Sequence, residues 1–94
     1  MDIRNANYFA AIAEEKSISK AAERLFISQP ALSQQLSKLE DELHTKLFIR
    51  KKDTLELTEA GRIYLNCVYN IQYIEKQAMN KILEIRNEKK PCVK

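Results

Sequence analysis

Gln29, Pro30, Ser33, Gln34 and Ser37 recur at intervals that bring them onto one side of a helix. Amides and hydroxyls donate and accept hydrogen bonds without carrying charge, so a helix end dressed with them suits the reading of base edges in a DNA major groove. Gln29, Pro30, Ser33 and Gln34 are expected to face bases, with Pro30 offering apolar contact to a thymine methyl. Ser28, Ser37 and Lys38 flank them and are expected to hold phosphates, as are Arg50, Lys51 and Lys52 further along the chain. Taken alone, the same Ser/Gln face equally suits a solvated surface.

Other chemistry finds little support. Cys67 and Cys92 lie 25 residues apart, with the single histidine, His44, distant from both. No C-x-x-C or H-x-x-x-H spacing exists, so a zinc site is not expected, and Cys67 reads as a small core or interface residue. There is no Ser/His/Asp set, no glycine-rich phosphate loop and no paired-carboxylate pocket, so neither an enzyme nor a cofactor is expected. Glu40, Asp41 and Glu42 are consecutive, point around their helix and read as solvated surface.

The polar face needs a scaffold, and the surrounding residues supply one. Ala21, Ala22 and Leu25 mark the buried side of a first short helix; Leu32, Leu36, Leu39 and Leu43, spaced 4, 3 and 4, mark that of a second. Ser28 stands where its hydroxyl can cap the second helix, and Pro30 falls in the first turn, where a missing N–H costs nothing. The pair forms a helix-turn-helix over about residues 18–37. Upstream, residues 2–15 suit an amphipathic helix with Ile3, Ala6, Phe9, Ala10 and Ala13 inward, and Ser17 or Ser19 caps the helix after it.

Ninety-four residues bound the protein to one small domain, with 45% hydrophobic and 31% charged residues and only one glycine and two prolines. That composition describes a helical globular chain. No run of 18 apolar residues occurs, and Met-Asp-Ile-Arg does not open a signal peptide, so neither a membrane span nor export is expected and the chain should be cytoplasmic. The net charge of +3 says less than its distribution. Residues 1–57 hold nine Lys/Arg against nine Asp/Glu, whereas residues 58–94 hold seven against four. Within the neutral head, Lys46, Arg50, Lys51 and Lys52 cluster with no acid between them, the usable signal for phosphate contact.

Ala21-Ala22-Glu23-Arg24-Leu25, Ser28-Gln29-Pro30-Ala31-Leu32-Ser33, Leu39-Glu40, Leu47-Phe48-x-Arg50 and Leu57-Thr58-Glu59-Ala60-Gly61 together carry a resemblance. In register and without a gap from about Met1 to Leu65, they resemble the N-terminal DNA-binding domain of LysR-type transcriptional regulators. The resemblance implies a winged helix-turn-helix that binds double-stranded DNA. Family members usually carry Gly where this chain has His44, at a left-handed turn past the reading helix; His tolerates that conformation better than most residues. Lys46–Arg50 and Thr54–Leu57 alternate apolar and polar around a Lys51-Lys52-Asp53 turn, which predicts a two-stranded wing. Many members place Gly and arginines at this tip; Asp53, Thr54 and Glu56 depart from that pattern and put minor-groove insertion in doubt.

From Thr58, a good N-cap, a helical pattern runs to about Lys90 and stops at Pro91. Some 30 residues give a rod of roughly 45 Å. Ile63, Tyr64 and Leu65 are expected to close the head's core. Beyond them Cys67, Ile71, Ile74, Ala78, Ile82 and Ile85 form a stripe too long to fold back on the head, which predicts burial against a second chain. The resemblance implies the same, since linker helices in this family pair antiparallel, with tetramers open to a full-length form. Family members are about three times longer and carry a C-terminal inducer-binding domain; this chain stops where the hinge to it would start, so no small-molecule site is expected.

The expected architecture is mainly α: a winged helix-turn-helix over residues 1–58, a dimerising linker helix over 59–90, and a hinge or tail over 91–94. The expected function is sequence-specific binding of an interrupted inverted repeat in double-stranded DNA. The rival is a winged-helix protein-interaction module, dimerised by the same rod.

Overall fold

The structure, a computed structural model, describes residues 3–89. Three helices, α1 (Ile3–Glu15), α2 (Ile18–Leu25) and α3 (Gln29–Leu43), precede an antiparallel hairpin of β1 (Phe48–Lys51) and β2 (Thr54–Leu57), and a long helix α4 (Glu59–Lys89) follows. The expected mainly helical winged fold is present. The residues beyond Lys89, including Pro91 and Cys92, lie outside the described part.

Helix boundaries follow local chemistry. Ser17, not Ser19, caps α2 by accepting the Lys20 amide at 3.1 Å, and Ser28 caps α3 by accepting the Ala31 amide at 3.2 Å. Pro30 sits in the first turn of α3. Phe26 (φ 59°) and His44 (φ 57°) end α2 and α3 in the left-handed region. At each end the next two amides bond back to two carbonyls of the last turn: Phe26 and Ile27 to Glu23 and Ala22, His44 and Thr45 to Asp41 and Glu40. Histidine therefore does stand in for glycine after α3. An L-residue in this conformation costs about 1–2 kcal/mol, which the paired carbonyls help offset.

The core is a single cluster. Phe9, Ile12, Leu32, Leu47 and Val68 are fully buried, with Ala6, Ala10, Ala11, Ala21 and Ala22 between the helices. The Phe9 ring packs edge-on to Tyr64 at 4.8 Å and tilted to Phe48 at 5.1 Å, so one aromatic of α1 meets both the wing and the rod. Ile63 departs from expectation: it is 68% exposed, because Val68, five residues further on and so on another side of the helix, closes the core with half-buried Tyr64 and Leu65. Leu43, the last member of the leucine stripe, is 42% exposed, since α3 ends beside it.

Thr58 fastens the rod to the wing. Its amide donates to the Leu47 carbonyl at 3.0 Å, its hydroxyl donates to the Lys46 carbonyl at 2.8 Å, and the same oxygen accepts the Gly61 amide at 3.0 Å. A Cβ on Gly61 would drive into the Leu47 carbonyl, so only glycine permits this approach. Further along, the Tyr69 hydroxyl donates to Glu14 at 2.7 Å and the Gln72 amide donates to Asn7 at 2.9 Å. These contacts set the direction in which α4 leaves the head. Among the described residues no helix is long and apolar enough to cross a membrane.

Candidate nucleic-acid interface

The reading face is built on the first three turns of α3. Pro30, Gln34, Ser37 and Lys38 are exposed on it, while Ser33 is half-buried. Ser28 spends a lone pair on its cap, and its O–H stays free to donate to a phosphate. The Gln29 carbonyl oxygen accepts from the Ser19 hydroxyl at 3.3 Å, leaving the amide NH₂ as an outward donor. α2 thus supports the residue at the tip of α3.

The wing closes one side of this face. Phe48 pairs with Leu57, Arg50 with Leu55 and Lys51 with Thr54, so Lys51 belongs to the strand and the turn is Lys52-Asp53 alone. Lys52 takes the left-handed conformation, φ 51°, which glycine adopts without the strain a Cβ brings. Arg50, Asp53 and Thr54 share with Ser17, Ser19 and Gln29 a polar cleft of about 110 Å³. Arg50 therefore stands across from the tip of the reading helix. Lys51 has its ammonium 3.7 Å from Glu56 across the exposed wing, and Lys52 is exposed at the tip. Arg24, basic and in the helix-turn-helix, is held by Glu14 at 2.7 Å and Glu15 at 3.3 Å.

Two residues that position the site were not evident from spacing. Glu40 was expected on the solvated surface and is instead buried, 8% exposed. Its carboxylate accepts the Leu47 amide at 2.7 Å and the Phe48 amide at 3.4 Å, with Lys46 3.7 Å away. The two amides entering β1 have no strand partner on that side, which is why a carboxylate is drawn inward. The signal was present: Glu40 follows Leu36 by four and so shares its buried face. Asp41 and Glu42 are exposed, as expected. Lys16, left-handed at φ 56°, is the other residue. Its carbonyl accepts the Leu55 amide at 3.1 Å and the Thr54 hydroxyl at 3.4 Å, pinning the wing to the α1–α2 turn.

Along α4 the apolar stripe lies open in the single chain. Ile74, Ile82 and Ile85 are 66%, 56% and 57% exposed, Cys67 and Ala78 are also exposed, and Ile71 is half-buried.

Comparison with known proteins agrees with this geometry. Residues 3–62 match the family model described as bacterial regulatory helix-turn-helix protein, lysR family. The chain is similar to the HTH-type transcriptional regulator BsdA of Bacillus subtilis, 42% identical over 94% of this chain and 31% of that protein. It is also similar to AlsR of the same organism, 50% identical over 70% of this chain and 22% of that protein. It thus spans less than a third of the length of these two relatives. Among solved structures, a complex of BenM_DBD with catB site 1 DNA superposes with a TM-score of 0.84 at 33% identity, covering 90% of this chain and 94% of that one. A CbnR_DBD–DNA complex gives 0.80 at 32% identity, covering 89% and 97%. The protein belongs to the lysR family of bacterial regulatory helix-turn-helix proteins.

Proposed function

We propose that this chain is the DNA-reading part of a transcription regulator, acting in the cytoplasm by binding and not by catalysis. The supporting observation is the protruding end of α3, where Gln29 and Arg50 face a common cleft and Pro30 and Gln34 stand exposed beside them. Gln29, Pro30, Ser33 and Gln34 read base edges in the major groove. Ser28, Ser37, Lys38, Arg50, Lys51 and Lys52 hold phosphates and set register. Residues 1–58 form the reading head and 59–90 the rod through which two copies pair. A two-headed unit demands a target with two half-sites, an interrupted inverted repeat.

A gel shift of the chain against such a repeat and against random duplex, over a range of salt, tests this. Affinity for both duplexes should fall steeply with salt, and the repeat should keep an advantage throughout. Salt-independent or absent duplex binding would favour the protein-interaction module instead.

A further inference from the structure

Gln29 enters the base-reading face with half of its amide already engaged. The Ser19 hydroxyl, from the first turn of α2, donates to the Gln29 carbonyl oxygen at 3.3 Å. Two features of the surroundings hold that oxygen toward α2. The first turn of α2 is the positive end of a helix dipole, which attracts the oxygen and repels the amide hydrogens. The cleft that both side chains line also carries two cationic residues, Lys16 and Arg50, against one anionic residue, Asp53. An amide turned the other way would set its hydrogens against that excess of positive charge. Both side chains are exposed in the free chain. A duplex laid over them excludes water from the bond and strengthens it.

We infer that Ser19 is a specificity-determining residue that acts through Gln29: by holding the Gln29 oxygen it leaves a donor alone to face DNA, and so selects a keto base, guanine or thymine, at the position Gln29 reads. The inference rests on the DNA-reading function proposed above and adds the chemical class of base. Guanine offers the acceptors O6 and N7 in the major groove and thymine offers O4, and neither carries an amino group there; adenine and cytosine do. Glutamine pairs with adenine by donating to N7 while accepting from the amino group, which takes oxygen and nitrogen side by side against one base edge. With the oxygen committed to α2, only the NH₂ group is presented. An adenine or cytosine at this position would meet donor with donor. Arg50, sharing the cleft, is likewise donor only and matches the same acceptor-rich edge.

The test uses the 94-residue chain and a pool of duplexes with two randomised half-sites. Selection by the parent and by Gln29→Ala identifies the base pair whose preference is lost with the Gln29 side chain. At that pair, base analogues delete one major-groove group at a time. The carbonyl is removed with 2-aminopurine in place of guanine or 5-methyl-2-pyrimidinone in place of thymine, which also tells the two keto bases apart. The amino group is removed with purine in place of adenine or 2-pyrimidinone in place of cytosine. Gln29→Ala on the same duplexes supplies the baseline for altered base pairing. Against that baseline, losing the carbonyl should weaken the parent about tenfold, and losing the amino group should change it by less than about twofold. Ser19→Ala frees the amide to turn, so this variant should become sensitive to the amino group and lose discrimination at that pair while other positions keep theirs. Ser19→Thr, which retains a hydroxyl, should restore the parent's pattern.

Parent binding that falls on loss of the amino group turns the Gln29 oxygen outward and overturns the keto-base assignment. A Ser19→Ala chain that keeps the parent's pattern, or loses equally at every position, overturns the role of Ser19. Duplex binding in which no base pair responds to Gln29→Ala overturns the inference and leaves the DNA-binding function standing. A parent chain that binds no duplex overturns that function and the inference with it.

Discussion

The carboxylate of Glu40 and the amide of Leu47 meet at 2.7 Å in the interior, joining the reading helix to the first strand of the wing. The carbonyl of the same residue accepts the Thr45 amide at 3.1 Å, so Glu40 organises the whole passage out of α3. Leu47 in turn offers its carbonyl to Thr58 at the start of the rod. One buried carboxylate thus aligns the three elements on which DNA recognition would depend. Glu40→Ala leaves two buried amides without an acceptor and should cost about 2–4 kcal/mol, read by urea denaturation. Glu40→Gln keeps one carbonyl oxygen and should lose about half as much. An Ala variant as stable as the parent would show that water replaces the carboxylate at no cost.

Gln29 should act on sequence choice alone. Its amide is steadied by Ser19 at 3.3 Å and projects from the tip of α3. Gln29→Ala removes an amide that can donate to a base edge, and that can bond bidentately if Ser19 releases its oxygen, and should cost about 1–3 kcal/mol on the cognate site. Binding to random duplex, measured in parallel, should barely change. Equal losses on both duplexes would place Gln29 on the backbone.

The exposed rod carries a separate prediction. Ile74→Asp with Ile82→Asp puts carboxylates where two chains should exclude water, costing about 2–4 kcal/mol at each site. Sedimentation should report monomers, and binding to the inverted repeat should fall because two linked heads gain avidity that single heads lack. The helical circular-dichroism signal of the head should survive. A double variant that stays dimeric would remove this stripe from the interface.

At the wing tip, Asp53 shares a cleft with Arg50 and Gln29. If DNA fills the space in front of that cleft, Asp53 repels it. Asp53→Arg should raise affinity at low salt and steepen the slope of log affinity against log salt by about 1–2 units, since the charge changes by two. The gain should be nearly the same on every sequence. An unchanged slope would place the tip away from the duplex, where charge is screened over about 8–10 Å.

Tyr69 should be visible in the titration of Glu14. The Tyr69 hydroxyl bond, aided by Arg24 and opposed by partial burial, holds the Glu14 carboxyl below its ordinary value of 4.5. A carboxyl lowered by folding stabilises the fold above its unfolded pKa, and that stabilisation fades as pH falls through the folded value. Tyr69→Phe should move the Glu14 titration upward by NMR. The stability gap between variant and parent, open at neutral pH, should close on acidification below the parent's Glu14 pKa. A gap independent of pH would trace the loss to packing rather than to the carboxylate.

The sequence alone determined the helix-turn-helix, the Ser28 cap and the left-handed end at His44, because these depend on residues within a turn or two of each other; the choice of Ser17 over Ser19 and the left-handed Phe26 came from the structure. Ser28 and Pro30 announce where α3 begins, His44 where it stops, and the leucine spacing which side is buried. It also determined that the rod outruns the head, since an apolar stripe longer than its own domain needs no coordinates to be seen. Only the tertiary structure decided which carboxylate goes inside. Glu40 and its neighbours Asp41 and Glu42 look alike in sequence, and the difference lies in two unpaired amides seven and eight residues downstream that arrive beside one of them. The same holds for Ile63 and Val68. Both are apolar positions in the first turns of α4, and which one meets Phe9 depends on the angle set by Thr58 and Gly61 against Leu47, a relationship between distant backbone groups that no local pattern records.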